Sequence, residues 1–280
     1  MLIYYKNSDL KQKIAELKQQ NKIIGFVPTM GALHAGHISL VNISKKYCDI
    51  TVCSIFVNPT QFNNPTDLKL YPRTPDADIK LLEEGGCDIL FMPEVEDIYP
   101  EKDTRQFNFG FLDTILEGAT RPGHYNGVGQ VVSILFDCVK PHKAYFGSKD
   151  YQQVMVVKDL VRQLNLDIEI ISCPIMREED GLAMSSRNTR LDEQERIIAE
   201  LVPKIMQQAN VILKTKGIAE AKLFVIEIIS KISIMKLDYF EVCDAETLEA
   251  ITEIKSNQKA VSLIAVFVGN IRLIDNWEVV

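Results

Sequence analysis

The sequence predicts an α/β protein in which an open, doubly wound parallel sheet is followed by a smaller α+β C-terminal domain. Three observations predict it. Short apolar runs alternate with helix-like periodicity through the first two thirds of the chain. A polar stretch interrupts that alternation after Met176, and helical patterns followed by strand patterns close the sequence. At 280 residues there is room for two domains, each with its own core.

Taken in order, buried strands are expected at Ile23–Val27, Ile50–Val57, Asp88–Met92, Lys143–Phe146 and Asp167–Cys173. Helices are expected between them at Lys11–Gln20, Gly36–Tyr47, Asp76–Glu84, Val128–Val139 and Tyr151–Leu164. In the fourth helix Val128, Val131, Val132, Leu135, Phe136 and Val139 recur at three- and four-residue steps, which gathers them on one buried stripe. Arg177–Asn188 reads as a polar loop, and Leu191 to Ile234 reads as two helices. Asp238–Val242, Ala260–Val268 and Ile271–Ile274 read as strands. The boundary is set near residue 176, giving domains 1–176 and 177–280.

Composition narrows the function classes. Hydrophobic residues make up 46% and charged residues 25%, the balance of an ordinary globular chain. The net charge of −7 opposes a broad nucleic-acid-binding face, which needs surplus Lys and Arg, so no nucleic-acid partner is expected. Cys48, Cys53, Cys87, Cys138, Cys173 and Cys243 are scattered through apolar runs without disulfide or metal-knuckle spacing, which predicts buried reduced thiols. Met1–Lys6 carries no signal-peptide pattern and no apolar run reaches membrane-spanning length, so a cytoplasmic protein without a membrane partner is expected.

The most informative segment is Pro28-Thr29-Met30-Gly31-Ala32-Leu33-His34-Ala35-Gly36-His37, directly after the first buried strand. His-x-Gly-His where a strand feeds a helix gathers unpaired backbone N–H groups, the positive end of the helix dipole and two imidazoles around one point. Such a point suits a phosphate, and hence a nucleotide. Zinc is the rival chemistry for two histidines three residues apart, but neither paired cysteines nor a His-Glu-x-x-His spacing accompanies them.

Three further segments also follow expected strands or the domain boundary. In Phe146-Gly147-Ser148-Lys149-Asp150, the glycine keeps the backbone low and the lysine can reach a phosphate. Met184-Ser185-Ser186-Arg187 offers two hydroxyls and a guanidinium, a donor set for phosphate oxygens on a loop able to close as a lid. In Phe56-Val57-Asn58-Pro59-Thr60-Gln61-Phe62, a defined turn presents the Gln61 amide to a hydroxyl or carboxylate.

Together with Tyr71-Pro72-Arg73-Thr74-Pro75-Asp76 and Arg121-Pro122-Gly123-His124, and with Gln152-Gln153 extending the lysine turn, these motifs stand in an order that resembles the pantothenate synthetase family over essentially the whole chain. The resemblance implies a Rossmann-like, nucleotidyltransferase-type domain with a C-terminal lid domain, in a cytoplasmic homodimer. It implies ATP-dependent ligation of (R)-pantoate to β-alanine through a pantoyl adenylate, with Mg2+ and with AMP and pyrophosphate as co-products. Carried over by motif, ATP would be held by Met30, Gly31, Ala32, Leu33, His34, Ala35, Gly36 and His37. Gly147, Ser148, Lys149, Asp150, Met176, Met184, Ser185, Ser186 and Arg187 would complete that site. His37, as proton donor or transition-state stabiliser, would carry catalysis with His34, Lys149 and Arg187. Gln61 and Gln153 would hold pantoate, and Asp78, or failing it Asp76, the metal. The chain departs from the family pattern at Ala35, where an acidic residue is common, at Ser148, where glutamate is usual, and at Gln130, where threonine is common.

Overall fold

The computed structural model describes residues 1–63 and 65–279, and the chain divides into two units, Met1–Pro174 and Ile175–Val280. Among the described residues the first unit holds a six-stranded parallel sheet built from β1 (Leu2–Tyr4), β2 (Ile24–Thr29), β3 (Ile50–Ile55), β4 (Ile89–Phe91), β5 (Lys143–Gly147) and β6 (Glu169–Cys173). Its strand order is β1-β4-β3-β2-β5-β6. Helices α1 (Asn7–Gln19), α2 (Ala35–Tyr47), α3 (Pro65–Leu70), α4 (Pro75–Glu84), α5 (Val95–Ile98), α6 (Leu116–Thr120), α7 (His124–Val139) and α8 (Tyr151–Gln163) complete the unit.

Alternation along the strands sends successive side chains to opposite faces of the sheet. Ile24, Phe26, Val52, Phe91, Ala144 and Phe146 join a cluster with α1, α7 and α8. Their neighbours Val27, Cys53, Leu90 and Tyr145 join a second cluster with Leu40 and Val41 of α2 and Leu82 of α4. Helix α7 is the most deeply embedded of these, with Tyr125, Val128, Val132, Leu135 and Phe136 all buried. The helix expected over Val128–Val139 extends four residues further toward the N-terminus and begins at His124.

β1 was not expected. Three residues carry too little periodicity to stand out, and Leu2–Tyr4 is a strand because β4 pairs with it, Leu2 opposite Ile89 and Tyr4 opposite Phe91. Pro28 lies inside β2 although proline interrupts a ladder. The pairing explains this, since β5 meets β2 only at Gly25 and Phe26, so the missing N–H of Pro28 leaves no bond unmade on that side. The sheet reverses at the same place. From β2 the chain moves to β3 and β4 on one side and returns to β5 and β6 on the other, the reversal that in open parallel sheets places a ligand crevice past the carboxyl ends of the flanking strands, here β2 and β5.

In the second unit, β7 (Met235–Asp244), β8 (Ala260–Val268) and β9 (Ile271–Val279) form an antiparallel sheet with β8 at its centre. Helices α9 (Glu193–Ala199), α10 (Leu201–Lys216) and α11 (Ile218–Ser230) pack their apolar faces with it in one cluster. Three helices replace the two expected over Leu191 to Ile234. Pro203 has no N–H to give the carbonyl of Ala199, so the helical bonding breaks there and restarts after Glu200. β7 and β9 both outrun their expected lengths: β7 pairs with β8 from Met235 opposite Val268 to Asp244 opposite Ala260, and β9 continues through the buried polar residues Asp275 and Asn276, opposite Ile264 and Leu263. All six cysteines are free thiols, five of them buried and Cys48 half-buried. No helix among the described residues is long and apolar enough to cross a membrane.

Candidate active site

The turn after β2 stands at the switch point. Gly31 has φ +79° and Ala32 φ +49°, two successive left-handed residues, so a glycine at the first spares one Cβ clash. Thr29 ties the turn down, its hydroxyl donating to the carbonyl of Ser54 at 2.7 Å and accepting from the N–H of Gly31 at 3.3 Å. The Asp78 carboxylate, from the first turn of α4, accepts from Ala32 N–H at 2.9 Å and Leu33 N–H at 2.7 Å.

The amides expected to await a phosphate are therefore capped by side chains. His34 is the N-cap of α2, with its Nδ1 accepting from Gly36 N–H at 3.1 Å, while Nδ1 of His37 accepts from His34 N–H at 3.3 Å. Partly buried amides need partners, and here the protein supplies them. The consequence is chemical. With both Nδ1 atoms accepting, hydrogen bonding leaves Nε2 of each ring as its N–H. The rings lie 4.1 Å apart between centroids. The half-buried His37 is pushed down to about 3, by burial first and then by the charges of His34 and Lys149. Lys149 thus acts on His37 from the turn after β5, where Ser148–Asp150 forms one 3-10 turn. Gly147 there has φ −71°, an ordinary conformation, and an added Cβ would meet none of the described atoms within 4 Å. The space above this turn is open.

The turn after β3 carries Gln61. Asn58 caps it, accepting from Thr60 N–H at 3.3 Å and from the Tyr99 hydroxyl at 2.8 Å, and its amide donates to Gln61 Oε1 at 3.0 Å and Gly127 O at 3.1 Å. Gln61 Nε2 in turn donates to Met30 Sδ at 3.1 Å, which joins the β3 turn to the β2 turn. His124 Nδ1 donates to the carbonyl of Gln61 at 2.8 Å. Burial first and the Arg121 charge second push His124 down to about 4. Helix α7 presses close here. A Cβ on Gly127 would come within 2.5 Å of the Thr60 carbonyl oxygen.

Of the adjacent glutamines, Gln152 is buried and engaged with Glu117 N–H at 3.0 Å and the carbonyls of Leu112 and Ile115 at 2.8 and 3.1 Å. Gln153, the expected pantoate contact, is half-buried beside it on α8. Asp76 is exposed. Asp78, the expected metal ligand, accepts a third hydrogen bond from the Thr74 hydroxyl at 3.1 Å and is 2% exposed. Among the described residues no group of three or more His, Cys, Asp or Glu is placed to hold a metal ion. The described side chains therefore form no cage of their own for Mg2+.

Within the second unit, Met176 pairs through its carbonyl with Met184 N–H at 3.0 Å, closing a narrow loop with the Arg177 and Ala183 bridge. Ser185 then caps a 3-10 turn over Ser186–Arg190, its hydroxyl accepting from Arg187 N–H at 3.2 Å. The segment expected as a polar loop is densely tied. Arg177 pairs with Asp275 at 2.7 and 2.9 Å and stacks on Trp277 at 4.8 Å, and Arg196 binds Glu178 at 2.7 Å and Asp180 at 2.5 Å. Asn188 joins in through Glu178 at 2.6 Å. Met184, Ser185 and Arg187 are half-buried, and Ser186 is buried.

Sequence reasoning missed Asn58, Tyr99 and His124 as supports of Gln61. Asn58 and His124 lie inside motifs that carry the resemblance, and Asn58 before a proline was a readable cap signal. Tyr99 carried none.

Comparisons with known proteins agree over the whole length. A family model described as pantoate-beta-alanine ligase matches residues 2–278. The pantothenate synthetase of Bacteroides fragilis is 50% identical over 276 residues, covering 99% of this chain and 98% of that one, and the pantothenate synthetase of Porphyromonas gingivalis is 48% identical with the same coverage. Among solved structures, the pantothenate synthetase of Thermus thermophilus superposes with a TM-score of 0.92 at 38% identity, covering 100% of this chain and 99% of that one. The pantoate-beta-alanine ligase of Francisella tularensis, complexed with Beta-gamma ATP and Beta-alanine, superposes with a TM-score of 0.83 at 37% identity, covering 99% of this chain and 97% of that one.

Proposed function

Because the chain belongs to the pantoate-β-alanine ligase family, an enzyme family of ligases, we propose that it joins (R)-pantoate to β-alanine with ATP through a pantoyl adenylate. The observation that carries the reading is the cluster at the switch point: two imidazoles with centroids 4.1 Å apart, a nearby lysine and a buried glutamine bonded to Met30.

In the first step the pantoate carboxylate attacks the α-phosphorus of ATP, and the bond from that phosphorus to the pyrophosphate oxygen breaks. Carboxylate and triphosphate repel each other, so charge must be neutralised before they meet. The Lys149 ammonium supplies one positive charge, and the Nε2–H groups of His34 and His37 supply donors fixed in place before the reaction. His37, neutral at physiological pH, acts in this scheme as a transition-state hydrogen-bond donor and not as an imidazolium acid. Met30 to His37, Gly147 to Asp150, Met176 and Met184 to Arg187 bind the nucleotide, with Arg187 adding a guanidinium to its phosphates. Gln61 and Gln153 hold pantoate.

In the second step the neutral amine of β-alanine attacks the acyl carbon, the C–O bond to the phosphate breaks, AMP leaves, and the nitrogen sheds one proton as the amide forms. Water would hydrolyse the mixed anhydride, so the site must exclude it between the two steps. The resemblance adds a cytoplasmic homodimer that uses Mg2+ with its ATP. For Mg2+ the fit to side chains is poor, and charge neutralisation is assigned here to Lys149 and Arg187, with the imidazoles as hydrogen-bond donors.

Isotope exchange between ATP and pyrophosphate tests the proposal. Exchange should require pantoate, and adding β-alanine should release AMP in equal amount to pantothenate. Exchange without pantoate, or an adenylyl group retained on the final product, would replace the ligase reading by nucleotidyl transfer.

A further inference from the structure

We propose that Asp78 is a positioning residue, filling the backbone nest of the Met30–Leu33 turn with its own carboxylate, and that it is not a ligand of the metal. The inference rests on the ATP-ligase reading for its kinetic consequences and on hydrogen bonding for its structural ones.

Successive positive φ angles at Gly31 and Ala32 turn neighbouring amides to one side, a concavity that attracts an anion. Left alone, that concavity would be a natural seat for a phosphate. It is already occupied: Asp78 Oδ2 accepts from Ala32 N–H at 2.9 Å and Oδ1 from Leu33 N–H at 2.7 Å. Thr74 adds its hydroxyl to Oδ1 at 3.1 Å, and the side chain is 2% exposed. A Cβ on Gly31 would lie 3.1 Å from Asp78 Oδ2, so the turn and the carboxylate are packed together.

Two consequences follow from that occupancy. Ala32 is a residue with a side chain in the left-handed region, a conformation that persists only where the surroundings over-determine it. Asp78 supplies that determination from 46 residues away and thereby sets where His34 begins α2. A magnesium ion, in contrast, keeps several waters and needs an open carboxylate face. Three donors take all but one of the carboxylate's acceptor sites, and burial closes the last, on Oδ2, to a hydrated ion.

The test compares Asp78→Asn and Thr74→Val with the parent enzyme in pantoate-dependent ATP/pyrophosphate exchange across a Mg2+ titration, alongside amide hydrogen exchange at Ala32 and Leu33. Asparagine would set an NH2 against a backbone N–H. The expected result for Asp78→Asn is a kcat lower by about 30-fold or more, the scale of a displaced transition-state donor. Its half-activating Mg2+ concentration and pantoate KM should stay within about 3-fold of the parent, since neither ligand is held by Asp78. Amide exchange at Ala32 and Leu33 should accelerate while Phe26 and Val27 stay protected. Thr74→Val should move the same readouts in the same direction by a few-fold.

Activity recovered by raising Mg2+, with a half-activating concentration shifted by about 10-fold or more, would identify a metal ligand and overturn the proposal. Unchanged protection at Ala32 and Leu33 would overturn it as well. If Asp78→Asn fails to fold, Thr74→Val decides: parent-like kcat together with parent-like amide protection rejects the role. Absence of pantoate-dependent exchange in the parent enzyme would reject the ligase reading alone, and amide exchange would still judge Asp78.

Discussion

The turn at His34 and the turn at Ser185 use the same device with different anchors. Each begins with a side chain that accepts a nearby N–H, His34 Nδ1 from Gly36 and Ser185 Oγ from Arg187. The first is then held by a carboxylate on another helix, Asp78, and by Gln61 through Met30. The second is held by Glu178, Asp180 and Arg196, which lie within about one helix length of it in sequence, and by the more distant Arg177 and Asp275 pair. One donor set therefore depends on the parallel sheet being assembled, while the other is largely built from its own segment. A phosphate site can be preorganised either way, because what matters is that donors are fixed before the ligand arrives.

Removing anchors should separate the two turns, and the largest effect is expected at the buried ion pair. Arg177→Ala leaves Asp275, 3% exposed, without its partner and should cost about 3–5 kcal/mol of stability in denaturant unfolding. A loss below about 1 kcal/mol would mean that the segment is held by its other contacts. Next in size, His37→Ala and Lys149→Ala should each slow adenylate formation by about 100-fold, or ~2.7 kcal/mol, with little change in unfolding midpoint. Rapid-quench measurement of a near-parental adenylation rate in both variants would remove them from the chemistry.

A smaller and more selective effect is expected at Gln61. Gln61→Ala should weaken pantoate by about 10-fold and ATP by much less, as read by calorimetry, since its amide is assigned to the hydroxy acid. Equal losses for both ligands would place the residue's influence on the Met30 turn instead.

The smallest effect concerns pH. His124, lowered in the folded protein to about 4, is neutral there while an unfolded chain would bind a proton near pH 6.5. Below that value the unfolded state holds more protons, so stability falls as pH falls from about 6.5 toward 4, and it rises again with pH. Between pH 7 and pH 5.5 this histidine should account for about 1 kcal/mol of lost stability. His124→Gln should flatten that part of the stability curve. An unchanged slope would show that other groups, His37 among them, carry it.

Much of the fold was legible because buried parallel strands advertise themselves. Ile24–Val27 and Val52–Ile55 are apolar on both faces, and α7 shows one continuous stripe. Leu2–Tyr4 was not legible, since three residues become a strand only when Ile89–Phe91 lies beside them. Pro203 could have been read as the break that makes three C-terminal helices from two, because its missing N–H is a local property. The candidate site divides the same way. His34, His37, Lys149 and Gln61 stand in local motifs, whereas the roles of Asp78, Tyr99 and His124 exist only in contacts with Ala32 and Leu33, with Asn58 and with Gln61.

By itself the sequence determined the residue types at each turn, the alternation of strands and helices, and through ordered motifs the family. Those are properties of neighbours along the chain, set by periodicity, cap chemistry and turn conformation. Only the tertiary structure decided which donors stay available for a ligand. The amides of Ala32 and Leu33 were promised to a phosphate by local geometry and taken by a carboxylate 46 and 45 residues away, because a partly buried N–H pairs with whatever acceptor folding brings to it.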